Sequence, residues 1–327
     1  MSEPVPRSIQ EPESFRRLPT GEALSASRSP LRVQLAYLVA SLRPHQWTKN
    51  LILFAALLFA RRIHDGRSLL ASTEAFLIFC FISGAAYLFN DIIDLERDRL
   101  HPVKQTRPLA AGLLAPSVAG WAAMGLTAAS LFSAFALSSW FGVVALGYFL
   151  LIAGYSLFLK NVVILDVLAV SFGFVLRAIA GAVAIDVAFS KWLLICTMLL
   201  ALFLSLNKRR HELTLLAGGA AEHRRILGEY SPYLLDQMIA VVTASTVVCY
   251  ALYTQAPETV AKFCTDRLVW TLPFVVYGIF RYLYLVHQRE EGGNPSRVLL
   301  NDRPLLMAIG LWAATVVTII YHSCETG

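Results

Sequence analysis

The sequence predicts an all-α integral membrane protein: nine transmembrane helices, with the N-terminus inside and the C-terminus outside. Three observations carry this expectation. Hydrophobic residues make up 57% of the 327-residue chain and charged residues only 15%, against roughly a quarter charged in soluble domains. Apolar runs of about 20 residues recur along it, long enough to cross a hydrocarbon layer about 30 Å thick. These runs are continuous rather than alternating, which argues against the short strands of a membrane β-barrel.

Residues 1–32 are polar, rich in Ser, Pro, Glu and Arg, and lack the apolar core of a signal peptide, so a disordered cytoplasmic tail is expected. Residues 33–327 are expected to form a single transmembrane domain, opening with an amphipathic surface helix at VQLAYLVASL (33–42). The nine spans are placed at 46–60, 70–91, 116–138, 141–159, 162–185, 191–207, 233–255, 268–287 and 304–322. The first is short and begins within the preceding segment. Only Lys160 and Asn161 separate the fourth from the fifth, which predicts a tight helical hairpin.

With the N-terminus inside, 21 of the 28 Lys and Arg fall on the cytoplasmic side and six outside, with Arg177 inside the fifth span. The Arg61–Arg62 pair is a local exception. Two long charged loops, 92–115 and 208–232, then share the cytoplasmic face of a multi-pass protein of the plasma (inner) membrane. The net charge of +6 is explained by these loops. It therefore points to anionic headgroups or phosphorylated substrates, not to nucleic acid. The five cysteines show no metal-binding spacing.

The second span ends in NDIIDLERD (90–98). On a continuous helix Asp91, Asp94 and Asp98 share one face. Like charges so placed repel unless a cation sits among them, and acids at a helix C-terminus also oppose its dipole. An oxygen-only donor set suits Mg²⁺, which is commonly completed by substrate phosphates. Lys104 and Arg107, just downstream, are suited to hold phosphate oxygens. Arg177 lies at least eight residues from either end of its span, where an Arg costs at least ~2.5 kcal/mol and needs an anion or a cavity. Lys49, at the start of the first span, is a further phosphate candidate. Asn301-Asp302-Arg303-Pro304 reads as an N-cap for the last span.

NDIIDLERD followed by HPVKQTRPLAAG resembles the first signature of the UbiA superfamily of intramembrane prenyltransferases, NDxxDxxxD and then KxxRP with a glycine. The resemblance runs over residues 40–322. It implies a UbiA-type catalytic bundle of nine helices around a cytoplasm-facing cavity, Mg²⁺ held by Asp91, Asp94 and Asp98, and Tyr155 and Lys160 lining that cavity. LRPHQWTKNLILFA (42–55), YSLFLKNVVILD (155–166), VLRAIAGAVA (175–184), SKW (190–192) and NKRRHEL (207–213) are similar to one branch of the superfamily. That branch joins a polyprenyl phosphate to phosphoribosyl diphosphate in making arabinan precursors.

The aromatic branch carries a second Asp-rich motif after the sixth span. Here that place holds Lys208, Arg209, Arg210, His211 and Glu212, a set fitted to a phosphate rather than to a second Mg²⁺. The resemblance thus implies phosphate binding by Lys49, Lys104, Arg107, Tyr155, Lys160, Arg177, Lys208 and Arg209. Asn90, Asp166 and Glu212 are further substrate contacts, and no cation is assigned to one phosphate. It also admits a homo-oligomer, without an interface legible in the sequence. Two alternatives stand beside this reading. One is transfer of a prenyl diphosphate to an aromatic or glyceryl phosphate acceptor. The other is a lipid carrier or transporter, which would carry internal polar residues and inverted repeats.

Overall fold

The computed structural model describes residues 31–101, 103–215, 225–289 and 295–323. Residues 1–30 of the tail expected at 1–32 and residues 216–224 of the second charged loop lie outside them. Among the described residues every regular element is helical. Four short 3₁₀ turns apart, in chain order these are α1 (Leu31–Ser41), a 3₁₀ segment (Pro44–Phe54), α2 (Ala55–Phe59), α3 (Gly66–Ile93) and α4 (Leu95–Leu100). There follow α5 (Pro116–Leu137), α6 (Ser139–Leu157), α7 (Leu165–Ala184), α8 (Lys191–Leu215) and α9 (Pro232–Gln255). Last come α10 (Pro257–Phe263), α11 (Leu272–Gln288), α12 (Pro295–Asn301) and α13 (Arg303–His322).

Eight helices are long and apolar enough to cross a membrane, among the described residues. The segment expected as a ninth, 46–60, is a 3₁₀ helix that runs into the five-residue α2. Helix α1 also differs from expectation, being apolar on both sides. Tyr37 and Leu38 pack against Leu42, Leu88, Leu109 and Leu114, while Val33, Leu35 and Val39 are exposed.

Local chemistry marks the helix ends. Asp65 accepts from the backbone of Arg67 and Ser68, Ser231 from Leu234, and Asp302 from Leu305, as its sequence predicts. Pro occupies the first turn of α5, α9, α10, α11 and α13, where no intrahelical donor is lost. The outlying Arg62 donates to the Ile185 carbonyl at 2.8 Å and so closes the C-terminus of α7. That gives one member of the Arg61–Arg62 pair a structural role.

Helix α3 packs on α5 and α6, α6 on α7, α7 on α8, α8 on α9, and α11 on α13. The 3₁₀ segment is wedged between α3 and α7 and also touches α12, while the backbone of Ile63 meets the Tyr321 hydroxyl at 3.4 Å. The first and last parts of the chain thus meet. One apolar core gathers Leu53, Phe79, Phe141 and Tyr148; another gathers Phe203, Tyr282 and Leu285.

Gly181 allows the wedge to seat. A Cβ there would collide with the Leu53 carbonyl. Because that obstacle is backbone, Gly181→Ala is expected to push the 3₁₀ segment off α7 and destabilise the fold by about 1–3 kcal/mol. A lower thermal midpoint in detergent is the readout.

Candidate active site

Asp91 lies in the last turn of α3, and Asp94 is the residue at which α3 gives way to α4. The i→i−4 ladder continues through the break, from Asp94 N to Asn90 O at 2.9 Å and from Asp98 N to Asp94 O at 2.8 Å. Asp91 and Asp98 are both about 3% exposed. Their oxygens converge on a single nitrogen, Nη1 of Arg107, which donates to Asp91 Oδ1 at 3.0 Å and to Asp98 Oδ2. Arg43 adds a 2.6 Å bond to the same Asp91 oxygen and lies over the Tyr87 ring, and Lys104 approaches Asp98 at 3.8 Å.

Asp94 turns aside to Lys160 Nζ at 2.6 Å. The expected set of three carboxylates on one face therefore becomes two that converge and one that does not. Among the described residues no group of three acidic, His or Cys side chains is arranged to hold a metal ion. The amide of Asn90 makes no hydrogen bond among them.

The loop that delivers Lys104 and Arg107 is fixed by its own turns. His101 Nδ1 accepts from the backbone of Val103 and Lys104 at 3.1 and 3.3 Å. Gly112 sits at φ 73 in the turn that closes the RPLAAG stretch, a conformation that costs other residues strain.

A second network joins the ends of α6, α7 and α8. Arg209, 4% exposed, donates through Nε to Asp166 Oδ2 at 2.7 Å, through Nη1 to Glu212, and through Nη2 to the Tyr155 hydroxyl at 3.3 Å. Tyr230 donates to Asp166 Oδ1 at 2.8 Å and accepts from the Ile164 backbone at 2.7 Å. Burial pushes the Tyr230 hydroxyl up to about 12, so it keeps the proton it donates. Lys208 stands 3.7 Å from Glu212. Two acids thus face two cations in this network. Arg210 reaches instead across to Asp236 on α9.

Arg177 is 6% exposed within α7. Its Nε donates to Asn50 Oδ1 at 2.7 Å and its Nη2 to the Tyr148 hydroxyl at 2.6 Å; the rings of Tyr148 and Phe174 lie 4.7 and 5.0 Å from its charged carbon. Lys49 is partly buried on the 3₁₀ segment.

The structure thus brings the expected residues into three groups along one interior. Sequence reasoning missed Arg43, Asn50 and Tyr148. Arg43 adopts a left-handed backbone (φ 54), which no pattern announces. Asn50 carried a signal: it is a polar residue inside an apolar run, next to Lys49.

Residues 50–302 match the model of the UbiA prenyltransferase family. A decaprenyl-phosphate phosphoribosyltransferase of Corynebacterium glutamicum is 34% identical over 296 residues, covering 87% of this chain and 86% of that one. One of Mycolicibacterium smegmatis is 32% identical, covering 92% and 98%. Among solved structures, a UbiA homologue from Archaeoglobus fulgidus bound to GPP and Mg²⁺ superposes with a TM-score of 0.66 at 19% identity, covering 88% of this chain and 99% of that one. The chain is an integral membrane protein that belongs to the UbiA prenyltransferase family.

Proposed function

We propose that the protein transfers a 5-phosphoribosyl group from phosphoribosyl diphosphate to a polyprenyl phosphate of the decaprenyl type, releasing diphosphate, in a Mg²⁺-dependent reaction. One observation carries the chemistry: two buried carboxylates converge on one point and are surrounded by Arg43, Lys104 and Arg107. The names of the relatives support the substrates. The basic makeup of the segment after the sixth span supports the choice of donor, because it supplies Lys208, Arg209 and Arg210 against the single acid Glu212.

The donor set fits Mg²⁺. Asp91 and Asp98 supply hard oxygen ligands aimed at one position, now taken by a guanidinium nitrogen, and bound phosphates would complete the shell. When bound, the ion would neutralise the departing diphosphate. Arg43, Lys104 and Arg107 would then hold diphosphate oxygens, and the Asp94–Lys160 pair would flank them. In the reaction the bond from ribose carbon 1 to the diphosphate oxygen breaks, with its electrons leaving on the diphosphate. A polyprenyl phosphate oxygen forms the new bond from the opposite face. That oxygen is already anionic at neutral pH, so no general base is needed.

Residues 33–327 act as a single catalytic domain in this reading, with the N-terminus and the site on the cytoplasmic side of the plasma membrane. The ninth crossing is the 3₁₀ segment with α2. At about 2.0 Å per 3₁₀ residue and 1.5 Å per α residue, residues 44–59 reach about 30 Å.

The test is product identity. Purified protein with Mg²⁺, labelled phosphoribosyl diphosphate and polyprenyl phosphate is expected to yield labelled lipid and free diphosphate. A chain that makes no labelled lipid refutes the proposal.

A further inference from the structure

The connection from α6 to α7 does two things in a few residues. It reverses the chain between two membrane helices, and it sends a side chain to each of two charged groups. Lys160, in the 3₁₀ turn Leu159–Asn161, donates to Asp94 at 2.6 Å. Asp166, in the first turn of α7, accepts from Arg209 at 2.7 Å. Between them the backbone is strained. Ile164 adopts φ 69 and ψ −43, and Leu165 N donates to Val163 O at 2.8 Å across it. This is a γ-turn of the rare, positive-φ kind, which a β-branched residue avoids. The Ile164 side chain is 47% exposed, so its own packing gives little hold on that conformation.

One side chain holds this turn from outside it. The Tyr230 hydroxyl accepts from Ile164 N at 2.7 Å and donates to Asp166 Oδ1 at 2.8 Å. A hydroxyl carries one proton and two lone pairs, so it can make both bonds at once. Tyr230 follows the 3₁₀ turn Arg225–Glu229, which packs against the turn bearing Lys160. Its ring is 4% exposed, in a core shared with Val167, Leu206 and Ile226. The hydroxyl is therefore presented from a fixed place. Strained backbone persists only where its surroundings over-determine it. Here one oxygen ties down both the strained residue and the carboxylate two residues beyond it.

We infer that Tyr230 is a positioning residue: its hydroxyl locks the Ile164 turn and thereby sets Lys160 against Asp94. The inference rests on the reaction proposed above for its effect on turnover, while the placement of Lys160 is read independently of it. Tyr230 touches neither substrate nor metal in this account and acts through the turn alone. When the turn relaxes to an ordinary conformation, Lys160 is drawn off Asp94, and that carboxylate is released from the direction in which Lys160 holds it. The second charged loop thus fixes geometry in the first.

The test separates the turn from the fold, using the purified full chain. Tyr230→Phe keeps the packed ring and removes the hydroxyl. It is expected to lower turnover at least about ten-fold, as small misplacements of a reacting group's neighbours do. It should also raise the rate at which an amine-reactive reagent acylates Lys160, read by peptide mass spectrometry. Glycine adopts positive φ without strain, so adding Ile164→Gly to Tyr230→Phe should return both readouts to within about three-fold of the wild type. Lost packing would not be restored by a smaller residue. Tyr282→Phe is the control: it removes from the same core a buried hydroxyl with no hydrogen-bond partner among the described residues, and should change neither readout. The inference is overturned if Tyr230→Phe labels Lys160 at the wild-type rate, or if the double variant stays as slow and as labelled as Tyr230→Phe. Should Tyr230→Phe fail to fold, a folded double variant supports the inference and an unfolded one overturns it. If the wild type does not turn over phosphoribosyl diphosphate but the labelling follows this pattern, the proposed reaction fails and the lock on Lys160 stands.

Discussion

An Asp91→Asn variant is expected to lose turnover by at least about 100-fold, a loss typical of removing one preorganised charge-stabilising group. It should also lose the rise in thermal midpoint that Mg²⁺ with diphosphate gives the wild type. Asp91 is the acid on which Arg43 and Arg107 both close, and with Asp98 it converges on a single nitrogen of Arg107. The amide keeps the shape and one acceptor oxygen but removes the charge. The fold should survive, because Arg107 retains Asp98 and Arg43 retains its stacking on Tyr87. Circular dichroism and the ligand-free midpoint check that point. An Asp91→Asn protein that is folded, active and still stabilised by Mg²⁺ with diphosphate would remove Asp91 from the site.

Arg209→Met is expected to act by the opposite route, lowering stability by about 3–5 kcal/mol. Its guanidinium is the hub between α6, α7 and α8, and Asp166 beneath it is fully buried. Removing the Arg leaves that carboxylate with Tyr230 and the Glu212 carboxylate with Lys208. The loss should appear as a fall in folded yield and thermal midpoint, without any special effect on the response to Mg²⁺. The double variant Arg209→Met with Asp166→Leu should recover part of the loss, because it removes the uncompensated buried charge. A single Arg209→Met variant that folds normally but binds substrate poorly would return Arg209 to the role of phosphate ligand.

These two residues show what was legible in the chain. Helix positions followed from apolar runs because the bilayer forces every backbone group to be satisfied within its own segment. The acidic stretch stood out because acids at the end of an apolar helix need a partner. Arg177 stood out because a buried intramembrane cation does too.

Partners across the bundle were not legible. Asp94 lies 66 residues from Lys160, and Asp166 lies 43 from Arg209. Nothing local says that the first pair draws an acid away from Asp91 and Asp98, or that the second closes a network. The 3₁₀ form of 44–54 was hidden for a related reason. The segment seats beside Gly181 and α7, far away along the chain. The same packing brings Asn50 to Arg177, a contact that emerged only with the fold.

The central claim is that the donor is a phosphorylated sugar rather than a prenyl diphosphate. The most direct measurement compares the two donors in one preparation of the full chain with Mg²⁺. Phosphoribosyl diphosphate is offered with a polyprenyl phosphate, and geranyl diphosphate with an aromatic acid. The account predicts labelled phosphoribosyl lipid in the first arm, abolished by chelation of Mg²⁺, and no prenylated acid in the second. Prenylated acid in the second arm with no lipid product in the first would contradict it.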